Sequence, residues 1–176
     1  MNETPGVKSK AADLRQAFDL SFASPPPARE EVEDILTIRV AGDPYAIRLS
    51  EIAGLIVGRR VVPVPSVTPD LLGLAGIRGG LVPVFGLASI LGCGQAPGSP
   101  RWMILCGAEE PIALAFADFE NYLRLPKSSF HEDGNPSTRS RYVKQAVSIQ
   151  GVVRAVIGIP AIVAAIRSRI RPTREQ

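Results

Sequence analysis

From Ile35 onward the chain carries a period-two beat of apolar residues. Ile35, Ile38 and Val40 lead into Ala41-Gly42-Asp43-Pro44, and Tyr45, Ile47 and Leu49 resume on the far side. Two alternating runs about a Gly-containing turn predict a hairpin. Short strand-like runs follow at 81–85, 102–106, 112–116, 121–125 and 152–159. Residues 61–65, Val-Val-Pro-Val-Pro, are stiff and extended, because each proline fixes its own φ and biases its predecessor away from helix. Residues 50–55 read as a single helical turn or a strand exit. A mainly β domain with a few short helices is expected over 35–166.

The first 34 residues follow another pattern. Leu14, Phe18 and Phe22 are four apart, which puts them on one face of a short amphipathic helix. Pro25-Pro26-Pro27 and the acidic Glu30, Glu31, Glu33 and Asp34 come next. So short a helix is marginal alone in water, so it must dock, either on its own domain or on a partner. At the other end, 167–176 forms a basic tail with Arg167, Arg169, Arg171 and Arg174, cations suited to the negative end of a helix dipole.

An internal repeat sharpens the fold expectation. Residues 76–91 align without gaps on 148–163, with Ile77 on Ile149, Gly79 on Gly151, Val84 on Val156 and Phe85 on Ile157. Residues 46–52 resemble 113–119 at a similar offset. Two related half-domains account for both matches.

Charge and composition then exclude more than they select. A formal charge of +3 on 176 residues is a mild excess, and the tail has no interleaved aromatics, so nucleic acid is not implied. The apolar run at 155–166 is too short to cross a bilayer, and no targeting segment opens the chain, which makes a cytoplasmic protein the default. Cys93 and Cys106 lack C-x-x-C spacing, and Cys106 sits in a strand-like run where a buried thiol is expected. The single histidine, His131, lies in a polar stretch at 128–140. The glycines at 92, 94 and 98 lack the helix and Lys-Ser/Thr of a phosphate loop. Asp118 and Glu120 read as solvated carboxylates. No catalytic constellation, metal site or cofactor is expected.

Residues 35–166 resemble the CheW family, whose members carry Y-A-I-P-I, then V-x-E-I, a Pro-rich stretch, and G-V-x-N-L-R-G-x-V-x-P-V-x-D-L. The counterparts here are Tyr45-Ala46-Ile47-Arg48-Leu49, Ile52-Ala53-Gly54-Leu55, Val62-Pro63-Val64-Pro65 and Gly73-Leu74-Ala75-Gly76-Ile77-Arg78-Gly79-Gly80-Leu81-Val82-Pro83-Val84-Phe85-Gly86-Leu87. A later Leu123-Arg124-Leu125-Pro126 matches the family's L-R-L-P. The resemblance implies two SH3-like five-stranded β-barrels with a groove between them. It also implies a non-catalytic adaptor: one barrel docks on the regulatory domain of a CheA-type histidine kinase, and the groove takes the helical tip of a methyl-accepting chemoreceptor. Arg78, flanked by Ile77 and Gly79, is the expected receptor contact, with Ile52 and Leu55 supplying apolar area. Gly54, Gly76 and Gly86 depart from the family's Glu, Asn and Asp, which suggests a divergent member that binds the kinase alone or serves a non-chemotactic pathway. A peptide-binding β module of unrelated signalling is the alternative function, and a β-barrel enzyme is a third class that the absent constellation disfavours.

Overall fold

The structure, a computed structural model, describes residues 30–94, 100–107, 110–132 and 141–170. Leu14, Phe18 and Phe22, with Arg171 and Arg174, lie outside the described residues. Among the described residues, eleven strands form two antiparallel-rich sheets. In chain order they are β1 (Val32–Val40), β2 (Asp43–Arg48), β3 (Gly54–Val57), β4 (Leu71–Ile77), β5 (Gly80–Gly86), β6 (Trp102–Cys106), β7 (Ile112–Phe116), β8 (Asp118–Pro126), β9 (Phe130–Glu132), β10 (Val143–Ile149) and β11 (Val152–Ile157). A one-turn helix, α1 (Leu87–Ile90), follows β5, and a longer one, α2 (Ile159–Ile170), follows β11. A 3-10 turn, Leu49–Glu51, links β2 to β3.

The six-stranded sheet runs β8-β1-β2-β11-β10-β9 and the five-stranded sheet β3-β6-β7-β5-β4. Apart from β9, which adds a sixth strand to the expected five, the two orders are the same. The pairing senses match as well: the inner contacts β11 with β2 and β5 with β7 are both parallel. Even the register repeats. Val156 faces Ala46 and Ile157 faces Ile47 in one sheet, and Val84 faces Ala113 and Phe85 faces Leu114 in the other. These are the positions that the two sequence repeats align.

The half-domains are nevertheless not consecutive. One repeat supplies β1 to β5 and α1, the other β6 to β11 and α2. Each sheet takes its opening hairpin from one repeat and its remaining strands from the other: β1-β2 joins β8 to β11, and β6-β7 joins β3 to β5. Two SH3-like subdomains result, interlocked by exchanged hairpins.

Alternation then builds three cores. Along β7, Ile112, Leu114 and Phe116 enter a cluster shared by both sheets, while Ala113 and Ala115 face a smaller cluster within the five-stranded sheet. On β2, Tyr45 and Ile47 face the shared cluster and Ala46 faces the interior of the six-stranded sheet. With both faces covered, β7 is buried at all five positions, which is why its sequence reads as a continuous apolar run. Helix α2 inserts Ile159, Ile162 and Ile166 into the shared cluster, a spacing that lies on one helical face. Its first N–H donates to Glu51 Oε2 at 2.8 Å, so a carboxylate sits at the positive end of the helix dipole. Its last turn is tied to the five-stranded subdomain: Arg169 pairs with buried Asp70 at 2.7 Å, and Asp70 also accepts the Ser89 hydroxyl at 2.5 Å.

Candidate functional site

Three hairpins are closed by two-residue turns in which both central residues have positive φ: Ala41-Gly42, Arg78-Gly79 and Gln150-Gly151. This is the turn that matches the right-handed twist of the strands. Glycine adopts the conformation freely, whereas a residue with a Cβ loses about 1–2 kcal/mol there. Arg78, at φ 51°, therefore sits where the backbone would favour glycine or asparagine.

The turn lifts the Arg78 side chain over the start of β3. A Cβ placed on Gly54 would lie 3.3 Å from Arg78 Nη2, so the absence of a side chain at 54 is what gives the guanidinium room. No carboxylate engages Arg78 among the described residues. Beside it runs a groove of about 450 Å³ lined by Ala53, Arg78, Leu81, Leu105 and Pro111 among others. Leu81 is 76% exposed. A second hollow of about 350 Å³ shares Leu81 and Pro111 and extends to Arg167 and Ile170 of α2. Together they offer Arg78 in one hollow, Glu110 and Arg167 in the other, and aliphatic and proline surface shared between them.

The other expected contact residues take different places. Gly79 is exposed at the turn. Ile52 and Leu55 are half-buried against the shared core, so each has only part of its surface to offer. Ile77 is 5% exposed and packs with Ala75, Val82 and Val84; it anchors the turn from within. Gly76 opens on empty space, and a Cβ at Gly86 would touch the Leu72 side chain at 3.5 Å. Leu81 and Pro111 were not singled out in the sequence. The signal for Leu81 was parity: Val82 and Val84 point inward, so residue 81 points out.

Charged residues on the six-stranded subdomain are largely committed to structure. Arg48 binds Glu33 at 2.7 Å, reaches the Gln145 side chain, and lies 5.2 Å from the Phe130 ring centroid. Glu120, expected to be solvated, is instead clamped between Arg39 and Arg154 at 2.6 Å from each. Asp34 accepts from Arg124 and the Tyr122 hydroxyl, and those bonds hold its carboxyl below the ordinary value of 3.8. His131 lies in β9 opposite Ala146, not in a loop. Both cysteines are free; burial, with Glu51 nearby, pushes the Cys106 thiol up to about 12. Among the described residues no three His, Cys, Asp or Glu side chains converge to hold a metal.

Comparison with known proteins places the chain in a family and finds solved structures of similar fold. The CheW-like domain family model matches residues 34–167. The scaffolding protein TtCheW from Thermoanaerobacter tengcongensis superposes with a TM-score of 0.64 at 15% identity, over 72% of this chain and 89% of that one. At that identity the likeness speaks for the fold. No curated protein matches the sequence.

Proposed function

The chain belongs to the family of CheW-like domains, scaffolding modules of chemosensory signal transduction, and from that premise we propose a non-catalytic adaptor that couples a CheA-type histidine kinase to chemoreceptors. One barrel meets the kinase's regulatory domain; the groove beside Arg78 takes the receptor tip. Such a protein acts on the cytoplasmic side, where those partners lie, and among the described residues no helix is long and apolar enough to cross a membrane.

Arg78 carries this reading. A solvent-facing guanidinium with no carboxylate beside it, held on a turn that disfavours its backbone, is a planar donor available to a helix-end carbonyl or a partner carboxylate. Leu81 and the exposed edges of Ile52 and Leu55 supply apolar contact around it. Rigid strands on either side of the groove hold these groups in place before the partner arrives, which lowers the ordering cost of binding.

The test is co-purification with a CheA-type kinase, before and after adding receptor, using the native chain and Arg78→Ala. Loss of receptor capture with kinase capture intact is expected of the variant. Tight receptor binding that survives Arg78→Ala removes Arg78 from the site. A second reading, a protein-binding module of a different signalling pathway, is favoured by Gly54, since the family's glutamate at that position is missing; kinase capture in neither state would select it. Deleting residues 1–34 separates the two uses of Leu14, Phe18 and Phe22: weakened capture with unchanged stability marks a docking peptide, whereas a large loss of stability marks a cover on the core.

A further inference from the structure

The two subdomains differ in the kind and density of their charged residues. Residues 32–48 and 118–157, which build the six-stranded sheet, hold seven acids and eight bases. Residues 54–116, which span the strands of the five-stranded sheet, hold four arginines, no lysine and three acids, Glu109, Glu110 and Asp70. That aspartate is 7% exposed and already bound to Arg169 and Ser89, so it neutralises nothing on the surface.

Three of those arginines gather at one place. The Gly58 N–H donates to the Arg101 carbonyl at 3.0 Å, which sets Arg59 and Arg60 beside Arg101 at the far end of β3 from Gly54 and Arg78. With four residues in β3, the two ends are separated by roughly 13 Å. All three arginines are exposed, and among the described residues no carboxylate pairs with any of them. Two aliphatic side chains stand close by: Val57, opposite Trp102 in the ladder, is 51% exposed, and Val62, bridged to Leu74, is 55% exposed. β3 is also an outermost strand of its sheet.

We propose that this ledge of Arg59, Arg60 and Arg101 with Val57 and Val62 docks an acidic, leucine- or valine-bearing segment of a partner protein, at a surface separate from the Arg78 groove. The cations are all arginine, whose planar fork pairs carboxylates bidentately and which is enriched at protein interfaces where lysine is depleted. That composition favours carboxylates over a lipid headgroup layer. In a second copy of the chain, Glu33, Asp34 and Glu120 are already engaged by Arg48, Arg124, Arg39 and Arg154, so those three carboxylates are not on offer to the ledge.

The probe is a fluorescein-labelled synthetic peptide of alternating Glu and Leu, with a Gln-for-Glu twin, titrated against the full chain and read by anisotropy. The acidic peptide binds, its affinity falls as salt rises, and the twin does not bind. Reversing Arg59, Arg60 or Arg101 singly to Glu lowers affinity by roughly 5-fold each, Val57→Asp also lowers it, and Arg78→Ala leaves it unchanged, so this surface and the receptor reading stand or fall separately. Equal binding of the twin, or acidic-peptide binding that persists when all three arginines are reversed, overturns the proposal. So does a chain that ignores the peptide yet sediments with phosphatidylserine vesicles through the same arginines, since the occupant is then a membrane.

Discussion

Gly73 has a φ of +145°, and a Cβ there would lie 2.1 Å from the Val62 carbonyl oxygen. The contact is backbone, so no rotamer can relieve it, and Gly73→Ala is expected to cost about 3 kcal/mol or more by urea titration. No local pattern could reveal this requirement, because it arises from a bridge between Val62 and Leu74 that closes only in the fold. Arg78→Gly tests the opposite situation. Removing the Cβ from a positive-φ position is expected to gain about 0.5–1 kcal/mol, after the added entropy of a glycine in the unfolded chain. Gln150→Gly, at the equivalent turn, should give the same gain, and only the change at 78 should weaken receptor capture. Cys106, buried and with its thiol pushed up to about 12, should resist iodoacetamide in the folded protein, while half-buried Cys93 reacts slowly. Asp34 titrates below 3.8 because Arg124, then Tyr122, stabilise its charged form. Its contact is therefore fully present above that ordinary value and lost as pH falls through the lowered folded one. Carboxyl NMR should place the midpoint below 3.8, and Tyr122→Phe should move it back up.

At the scale of elements, hydrophobic alternation located the strands whose side chains enter the shared core, and it failed where glycine or polar residues interrupt. β4 reads Leu-Leu-Gly-Leu-Ala-Gly-Ile, and its two glycines lower strand propensity. β10 reads Val-Lys-Gln-Ala-Val-Ser-Ile and buries only Val143 and Val147 fully. β1 begins at Val32, ahead of the first strong apolar position, because Val32 to Asp34 pair with β8 at its exposed end. The basic residues at 167 and 169 belong to the last turn of α2, where they are fasteners: Arg167 donates to the Glu110 carbonyl at 3.1 Å and Arg169 reaches Asp70. Asp70→Ala should cost about 1–3 kcal/mol in denaturant titration, since it strands the Ser89 hydroxyl and releases the helix end. Ile162→Ala, at a fully buried position, should cost about 2–5 kcal/mol.

On the scale of the whole molecule, the family motifs pointed to a two-barrel fold and the internal repeat pointed to its symmetry, but neither carried the hairpin exchange. Sequence similarity says which segments are alike; which sheet each joins depends on long-range pairing. The Arg78 turn was legible through its motif and Leu81 through parity, whereas Pro111 and the grouping of Arg59 and Arg60 with Arg101 were not, because those become neighbours only when separate loops meet. Since Ile38, Tyr45, Leu114 and Ile157 share one cluster, unfolding should be a single transition, with fluorescence of Trp102 and far-ultraviolet dichroism coincident. An excised 54–116 segment would expose Ile104, Leu114 and Phe116 and should not fold by itself. The exchanged hairpins carry a historical consequence. A half-length ancestor with one copy of the repeat would already hold the five strands of one sheet, and two copies that exchanged their opening hairpins would form the arrangement seen here as a dimer. Fusion of two such genes would join the exchanged pair in one chain, and the two surfaces, identical by symmetry in the dimer, would then be free to diverge.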